Sequence, residues 1–140
     1  MISVVDSSVV VKWYSAEPDS VLASRLIGQP LVAPDLIRAE VGNTLWKKVR
    51  LGELKRPQAV EALPHLAQSV TLLRSEPFAE AALELSFDLG HPIYDCFFLE
   101  IARTLNFPLI TSDTRLWKLT RDTPFAARVV MLRDWEHGND

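Results

Sequence analysis

Four acidic residues, Asp6, Glu40, Asp95 and Asp113, are the side chains of this sequence whose types and positions are best suited to chemistry. Asp6 and Asp113 each end an apolar, strand-like run. Asp95 opens an apolar helical segment, and Glu40 lies inside another. Carboxylates that converge repel one another unless a cation or protons neutralise them. Because hard oxygen ligands suit Mg²⁺ or Mn²⁺, convergence of these four predicts a divalent-metal site of the kind used in phosphate chemistry.

Short apolar runs alternate with longer amphipathic segments along the chain. The short runs predict strands over 2–5, 31–33, 70–73, 108–111 and 128–132. The longer segments predict helices over 8–14, 20–28, 34–52, 57–67, 76–89, 95–105 and 114–119. This alternation favours an α/β domain in which helices pack on both faces of a parallel sheet.

The two strand-end aspartates lie where such a sheet binds ligands, in the crevice beyond the carboxyl ends of the strands. Asp6 and Asp113 each also suit the simpler role of a helix N-cap. Asp95 equally suits a first-turn acid that complements the helix dipole, a contribution of about 0.3–1 kcal/mol. Taken singly, each aspartate therefore has a structural explanation, and the functional interpretation depends on their being brought together.

Glu40 is harder to explain by structure alone. It lies at the edge of an apolar helical stripe that includes Leu36, Ile37 and Val41. No lysine or arginine stands four residues before or after it, so the helix itself provides no ion-pair partner.

Size and charge limit the class of protein. A chain of 140 residues fits one domain, which we predict over 1–133, with a polar tail over 134–140. The apolar content of 48% is typical of a globular core, and the net charge of −3 argues against a non-specific nucleic-acid coat protein. An RNA-processing enzyme remains compatible, because a metal ion supplies positive charge locally.

The single cysteine, Cys96, excludes an intrachain disulfide and fits a reducing compartment. No leader-like segment precedes the first predicted strand, and no apolar run approaches the ~18–20 residues needed to span a bilayer. We therefore expect a cytoplasmic protein without a membrane span.

Other candidate chemistry finds little support in the sequence. The three histidines, His65, His91 and His137, lack metal-ligand spacing. Glu100 interrupts an apolar helix but lies about 140° around that helix from Asp95, so we leave it out of the site. No GxSxG, Walker or GxGxxG pattern occurs.

Four segments, in order, resemble the PIN-domain ribonucleases, and most closely the VapC-type toxins of prokaryotic toxin–antitoxin pairs. The first is Val4-Val5-Asp6-Ser7-Ser8-Val9-Val10-Val11-Lys12-Trp13, which is similar to the family's opening strand and D-x-S turn. The others are Pro34-Asp35-Leu36-Ile37-Arg38-Ala39-Glu40-Val41-Gly42-Asn43-Thr44-Leu45, Tyr94-Asp95-Cys96 and Leu109-Ile110-Thr111-Ser112-Asp113. Each motif alone is weak, but their order and spacing cover essentially the whole chain.

The resemblance implies a PIN-like three-layer α/β/α sandwich with a central, mainly parallel sheet of about five strands. It implies a ribonuclease that depends on Mg²⁺, with Mn²⁺ as a plausible substitute, and leaves open whether one ion or two are bound. Asp6 and Asp95 are the first-choice ligands, and Glu40 and Asp113 bind directly or through water. The short polar side chains expected to hold these carboxylates in place are Ser8, Asn43 and Thr111.

One position departs from the family pattern. Some relatives carry a further acid two residues after the last aspartate, where this chain has Arg115. We therefore assign no fifth carboxylate.

A basic segment follows the Glu40 helix and offers RNA-binding candidates in Lys47, Lys48 and Arg50. The alternative for these residues is an ordinary solvated helix end whose cations complement the helix dipole. The resemblance further implies a homodimer, alone or in a larger complex, that is held inactive by a cognate antitoxin.

Competing functions fit the sequence less well. A phosphatase with an aspartate nucleophile needs D-x-D after the first strand, where Ser8 takes the third position. A phospho-acceptor signalling domain needs an acidic pair before its acceptor and a late lysine, and neither pattern occurs. A housekeeping PIN-domain RNA-processing nuclease and a non-catalytic PIN-like scaffold are the remaining alternatives, and the four intact acids argue against the scaffold.

Overall fold

A computed structural model describes residues 1–135 of the chain. Its centre is a sheet whose five strands are β1 (Ser3–Val5), β2 (Leu31–Pro34), β3 (Thr71–Leu73), β4 (Leu109–Thr111) and β5 (Val129–Met131). The strand order is β3-β2-β1-β4-β5, and every neighbouring pair is parallel. The prediction of a parallel, five-stranded α/β domain is therefore confirmed.

The helices between the strands are α1 (Ser7–Val10), α2 (Ser20–Ser24), α3 (Ile37–Arg50), α4 (Arg56–Ser69), α5 (Ala79–Leu89), α6 (Ile93–Leu105) and α7 (Thr114–Leu119). Single 3₁₀ turns occupy Val11–Trp13, Glu76–Phe78 and Leu132–Asp134. The chain moves one way across the sheet from β1 to β3 and the other way from β4 to β5. Because such crossovers are right-handed, α1–α4 cover one face and α5–α7 cover the other.

The reversal of strand order creates a crevice between β1 and β4. The connection that leaves β1 runs to β2 on one side, and the connection that leaves β4 runs to β5 on the other. Open α/β sheets bind their ligands at such a switch point. The residues that directly follow these two strands are Asp6 and Ser112, and Asp113 comes next.

The core forms where α6 packs across β1, β2 and β4. In α6, Phe98, Leu99 and Ile101 are fully buried, and on the sheet Val4 and Ile110 are equally inaccessible. Each such side chain contributes about 1.5–3 kcal/mol through burial of apolar surface. The packing fixes the start of α6, and with it Asp95, against the end of β1.

The predicted bounds of several helices differ from those of the structure, and two of these differences have a clear cause. Helix α2 ends at Ser24 rather than at 28. The amides that follow it bond to carbonyls three residues back, as in Ile27 N to Ser24 O at 3.2 Å, so the α-helical pattern is lost. Gly28 then takes a left-handed conformation, with φ at +96°. Helix α3 begins at Ile37 rather than at 34, because Pro34 completes β2. Asp35 accepts hydrogen bonds from the Ser75 amide and hydroxyl instead of capping the helix.

The described chain ends in packed structure. Leu132 is buried, and Trp135 is partly buried and packs against the core. The remainder of the predicted tail, residues 136–140, lies outside the described residues, and the domain boundary at 133 stays a prediction. Within residues 1–135, no helix is long and apolar enough to cross a membrane.

Candidate active site

Asp6 is a buried carboxylate at the end of β1, with only 2% of its surface exposed. Its amide donates to the Ile110 carbonyl at 3.0 Å, which ties it to β4. Its Oδ2 accepts hydrogen bonds from Thr111 Oγ1 at 2.6 Å and from Ser8 Oγ at 2.8 Å. Two hydroxyl groups from two different segments therefore hold one oxygen of this carboxylate.

The same two hydroxyls organise the loop after β4. Thr111 Oγ1 accepts the Asp113 amide at 2.9 Å, and Ser8 Oγ accepts the Ser112 amide at 3.0 Å. The two hydroxyl oxygens lie 3.3 Å apart. This network joins the ends of β1 and β4, so the position of Asp113 is coupled to that of Asp6.

Asp113 has both of the roles considered for it. Its Oδ1 accepts the Arg115 amide at 2.9 Å and the Leu116 amide at 3.3 Å, which makes it the N-cap of α7. Asp113 also lines the cleft beside Asp6.

Asp95 lies in the first turn of α6, and its Oδ2 is 2.6 Å from His91 Nε2. Glu40 lies in the first turn of α3 and is half-buried. Its Oε1 is buried without a hydrogen-bond partner, which is costly for a polar atom. Ser112 Oγ is likewise buried without a hydrogen-bond partner.

The acids surround an open cleft of about 420 Å³. Asp6, Asp95 and Asp113 line its floor together with Ser8 and Ser112. Its wall is formed by Lys12, Glu17, Thr44 and Lys48, of which Thr44 and Lys48 come from α3. Glu40 lies one turn before Thr44 on that helix and interacts electrostatically with Asp6 and Asp95. All four predicted carboxylates are thus brought into one electrostatic cluster.

Burial and mutual repulsion shift two of these acids toward their protonated forms. Burial, followed by the charge of Asp95, raises the pKa of Asp6 from 3.8 to about 6, although the hydroxyls of Thr111 and Ser8 oppose the shift. Burial, followed by the charges of Asp6 and Asp95, raises the pKa of Glu40 from 4.5 to about 8. A hydrogen bond from Ser7 offsets part of that increase. Both pKa shifts are of the kind that a bound cation reverses.

The donor set fits a hard divalent ion, but the ligands are not already gathered around one point. The fit rests on carboxylate oxygens, on the unpartnered Glu40 Oε1, and on repulsion that only protons or a cation relieve. Within residues 1–135, however, no three acidic, histidine or cysteine side chains are arranged to hold one ion. Self-repelling carboxylates favour separation when no cation is present. Metal ligation by this cluster stays a prediction.

The sequence did not single out His91 as a neighbour of the site. Its imidazole stands four residues before Asp95 and contacts that carboxylate. The available signal was this spacing of four, but His91 precedes α6 rather than lying inside it, so the helical rule did not apply directly. Glu17 was missed as well, because it lies in a loop with no motif around it.

The other predicted site residues are distributed unevenly. Ser8 and Thr111 contact Asp6 directly. Asn43 is exposed and is not among the residues that line the cleft, where Thr44 stands instead. Lys48 lines the cleft, whereas Lys47 is exposed and lies outside the lining.

Two charged residues lie away from the cleft. Arg50 stacks over Trp46 at 4.8 Å, next to an apolar groove between α3 and α4. Glu100 is buried and accepts two hydrogen bonds from Arg103 Nη2, at 2.5 and 2.8 Å. This ion pair explains Glu100 structurally and agrees with leaving it out of the site.

Replacing Thr111 with valine should separate the hydroxyl network from the packing of the core. Valine keeps the shape but removes the donor to Asp6 and the acceptor for the Asp113 amide. We expect a loss of about 1–3 kcal/mol in unfolding free energy and about a tenfold loss of any activity that depends on Asp6. Chemical denaturation and a rate assay measure the two effects. Thr111→Ser is the control and should retain most of both, and a fully active valine variant would exclude the positioning role.

The comparison with known proteins agrees with this geometry. Residues 3–122 match the family model for the PIN domain. Ribonuclease VapC3 of Pyrobaculum aerophilum is 32% identical over 118 residues, which cover 81% of this chain and 90% of the relative. Ribonuclease VapC1 of Mycobacterium tuberculosis is 31% identical over 120 residues, which cover 81% and 86%. The chain belongs to the PIN-domain family and, within it, to the VapC group.

Solved structures confirm the fold. PAE2754 from Pyrobaculum aerophilum superposes with a TM-score of 0.75 at 21% identity, over 95% of this chain and 90% of that chain. The structure of VapBC2 from Rickettsia felis was determined bound to a DNA fragment from its promoter. It superposes with a TM-score of 0.60 at 14% identity, over 94% of this chain and 98% of that chain. The PIN-like sandwich and the resemblance to VapC-type toxins that the sequence motifs predicted are both confirmed.

Proposed function

We propose that this protein is a divalent-metal-dependent ribonuclease that hydrolyses RNA phosphodiester bonds and acts as the toxin of a toxin–antitoxin pair. The observation that carries the proposal is the cluster of Asp6, Glu40, Asp95 and Asp113 at the β1/β4 switch point, where Glu40 Oε1 is buried without a partner. The VapC ribonucleases among its relatives support the same chemistry.

Asp6 and Asp95 are the residues we assign as ligands of the cation, with Glu40 and Asp113 binding directly or through water. Mg²⁺ is the expected ion, with Mn²⁺ as a substitute. When bound, such an ion polarises a phosphodiester and lowers the pKa of a coordinated water. Arg115 provides no fifth carboxylate, so these four acids are the ligands of the proposal.

The protein's own contribution is to position these groups. Thr111 and Ser8 donate to one oxygen of Asp6 and so fix the orientation of that carboxylate. The contact with His91 restrains Asp95 in the same way. Hydrogen bonds that orient Asp6 and Asp95 before substrate arrives reduce the reorganisation that the reaction requires.

RNA must approach an acidic cleft, so cations beside it are expected to contribute to binding. Lys48 meets this need directly, since it lines the cleft wall. Lys47 and Arg50 also lie on α3 but outside the lining, and we assign them to flanking phosphates. Such contacts make affinity fall as salt concentration rises.

The partner in the proposal is a cognate antitoxin. This part rests on membership of the VapC group and is supported by the VapBC2 structure from Rickettsia felis, one chain of which has the same fold. A homodimer is expected on the same resemblance. Cytoplasmic location stays a prediction based on the lone, buried Cys96.

Replacement of Asp95 by asparagine tests the proposed activity. Asparagine keeps the size of the side chain and its ability to contact His91 but removes the ligand charge. We expect the variant to fold normally and to cleave single-stranded RNA at least about 100-fold more slowly in Mg²⁺. The measurement is the initial rate of cleavage of a fluorescently labelled RNA by the purified proteins.

Asp88→Asn is the matched control, because Asp88 is exposed on α5 and is not among the residues that line the cleft. It should cleave at the wild-type rate. Full activity of the Asp95→Asn protein, or wild-type activity that persists in excess chelator, would remove the basis of the proposal.

A further inference from the structure

A run of ion pairs crosses the wall of the cleft. Lys12 Nζ lies 3.6 Å from Glu17 Oε1, and Lys48 Nζ lies 3.1 Å from Glu17 Oε2. Lys48 also lies 3.6 Å from Glu53, which is more than half exposed. One carboxylate therefore bridges two ammonium groups that come from different elements, the 3₁₀ turn after α1 and helix α3.

Both lysines are largely withdrawn from solvent. Their side chains are 12% and 17% exposed, respectively, and both line the cleft that contains Asp6, Asp95 and Asp113. Holding an exposed lysine in one geometry costs side-chain entropy, and burial of its aliphatic chain reduces that cost. The pair is therefore pre-placed next to the acids rather than free to sample the surface.

The loop that carries Glu17 is itself fixed. Ser15 Oγ donates to Glu17 Oε2 at 3.1 Å, and the Glu17 amide donates to Ser20 Oγ at 2.9 Å. Lys12 Nζ additionally donates to the Pro18 carbonyl at 2.9 Å. Although burial acts to raise it, the pKa of Glu17 is lowered by the hydrogen bonds from Lys48 and Ser15, so the carboxylate is charged.

A carboxylate held between two ammonium groups presents the same chemistry as two non-bridging oxygens of a phosphate. We propose that Lys12 and Lys48 form a binding subsite for an RNA phosphate next to the scissile one, and that Glu17 occupies this subsite in the free protein until RNA displaces it. The inference rests on the proposed ribonuclease function and specifies how its substrate is held. It also distinguishes Lys48 from Lys47, because only Lys48 lines the cleft.

The displacement has an electrostatic reason. Glu17 adds a negative charge to a cleft that already carries three aspartates, and it neutralises much of the charge of the two lysines. An RNA phosphate that takes its place keeps both lysines paired and moves the carboxylate away from the backbone.

Binding of a fluorescently labelled single-stranded RNA to the Asp6→Asn protein, followed by anisotropy, tests the subsite without cleavage. We expect Lys12→Met and Lys48→Met each to weaken binding about tenfold. Each should also lower the slope of log affinity against log salt by up to about 1, measured between about 50 and about 200 mM KCl. Lys12→Arg and Lys48→Arg should retain most of the affinity, which excludes a general folding defect.

Lys55→Met removes the same charge from an exposed lysine that does not line the cleft, and it should change affinity less than twofold. Glu17→Gln should tighten RNA binding about threefold, because the competing carboxylate is gone while both lysines remain. Glu53→Gln is its matched control and should have a smaller effect, since Glu53 contacts only Lys48 and from 3.6 Å.

The subsite is overturned if the two lysine variants bind RNA as tightly as Lys55→Met, or if the Asp6→Asn protein binds no RNA at all. Displacement of Glu17 is overturned if Glu17→Gln weakens binding as much as loss of a lysine. In the otherwise wild-type protein, the lysine variants should raise KM about tenfold and leave kcat nearly unchanged. A wild-type protein that does not cleave RNA but shows this binding pattern would refute the ribonuclease proposal and leave the subsite standing.

Discussion

Replacing Asp6 with asparagine is expected to lower the rate of RNA cleavage by about 1,000-fold or more without destabilising the metal-free protein. Asparagine keeps an oxygen that accepts hydrogen bonds from Thr111 and Ser8. It removes a buried charge that is costly near neutral pH, because burial and Asp95 raise the pKa of Asp6 to about 6. That cost is on the order of 2 kcal/mol, and its removal is offset in part because the buried NH2 group of the new amide needs hydrogen-bond acceptors.

The measurement pairs a cleavage rate with a thermal melt at about pH 8 in chelator. The Tm should equal that of the wild type or exceed it by up to about 5 °C. Asp122→Asn, at an exposed position, is the control and should change neither quantity. A loss of activity accompanied by a Tm lowered by more than about 5 °C would mean that Asp6 is chiefly a structural residue.

The second large effect concerns the stability of the metal-free protein as a function of pH. Asp6 and Glu40 have pKa values raised to about 6 and about 8, above their ordinary values of 3.8 and 4.5. Their contribution to stability is therefore fully present below the ordinary pKa values. This stabilisation is lost as pH rises through the raised pKa values. The reason is that the folded protein holds these protons more tightly than the unfolded chain does, and it loses that advantage when the protons dissociate.

We expect the unfolding free energy in chelator to fall by on the order of 2 kcal/mol between about pH 5.5 and about pH 8.5. Excess Mg²⁺ should reverse this loss, raising Tm by about 5 °C at the higher pH and by much less at the lower pH, where protons compete with the ion. Thermal melts with and without Mg²⁺ at the two pH values measure the effect.

Glu40→Gln provides the internal check on this prediction. It removes the group with the larger pKa shift, so the metal-free variant should show a flatter dependence of stability on pH. It should also gain less from Mg²⁺ at the higher pH. If wild type and variant share one pH profile, the titration does not arise from this cluster.

Much of the site follows from local sequence. Each short strand is apolar and stops at a polar residue, so Asp6 and Asp113 had to lie at the same edge of a parallel sheet. The apolar face of α6 fixed the start of that helix and with it Asp95. Glu40 was identified as an acid without a helical partner, and its Oε1 is indeed buried and unpaired.

The sequence could not reveal contacts that depend on where loops fall in space. Glu17 meets Lys48 across 31 positions of the chain, and no periodicity encodes such a pairing. Asp35 stands at the start of the predicted helix over 34–52 and is of a type that suits an N-cap, yet it bonds to Ser75 after β3, forty residues away. Local propensity limits the conformations and contacts available to a residue, and its tertiary neighbours determine which of them forms.

The N-cap of α7 illustrates a different limit. Asp113 was given two alternative roles, and the structure assigns it the cap while also placing it on the cleft. A carboxylate has two oxygens, so one residue can do both. The structural role of Asp113 as an N-cap and its proposed role in the site are therefore compatible.

The central claim is that this cluster makes RNA cleavage dependent on a divalent ion. Its most direct test is the cleavage rate of the purified protein on single-stranded RNA, first in excess chelator and then after Mg²⁺ or Mn²⁺ is restored. We expect no cleavage in chelator, full recovery with either ion, and no recovery for Asp6→Asn or Asp95→Asn. Equal cleavage in chelator and in Mg²⁺ would contradict it.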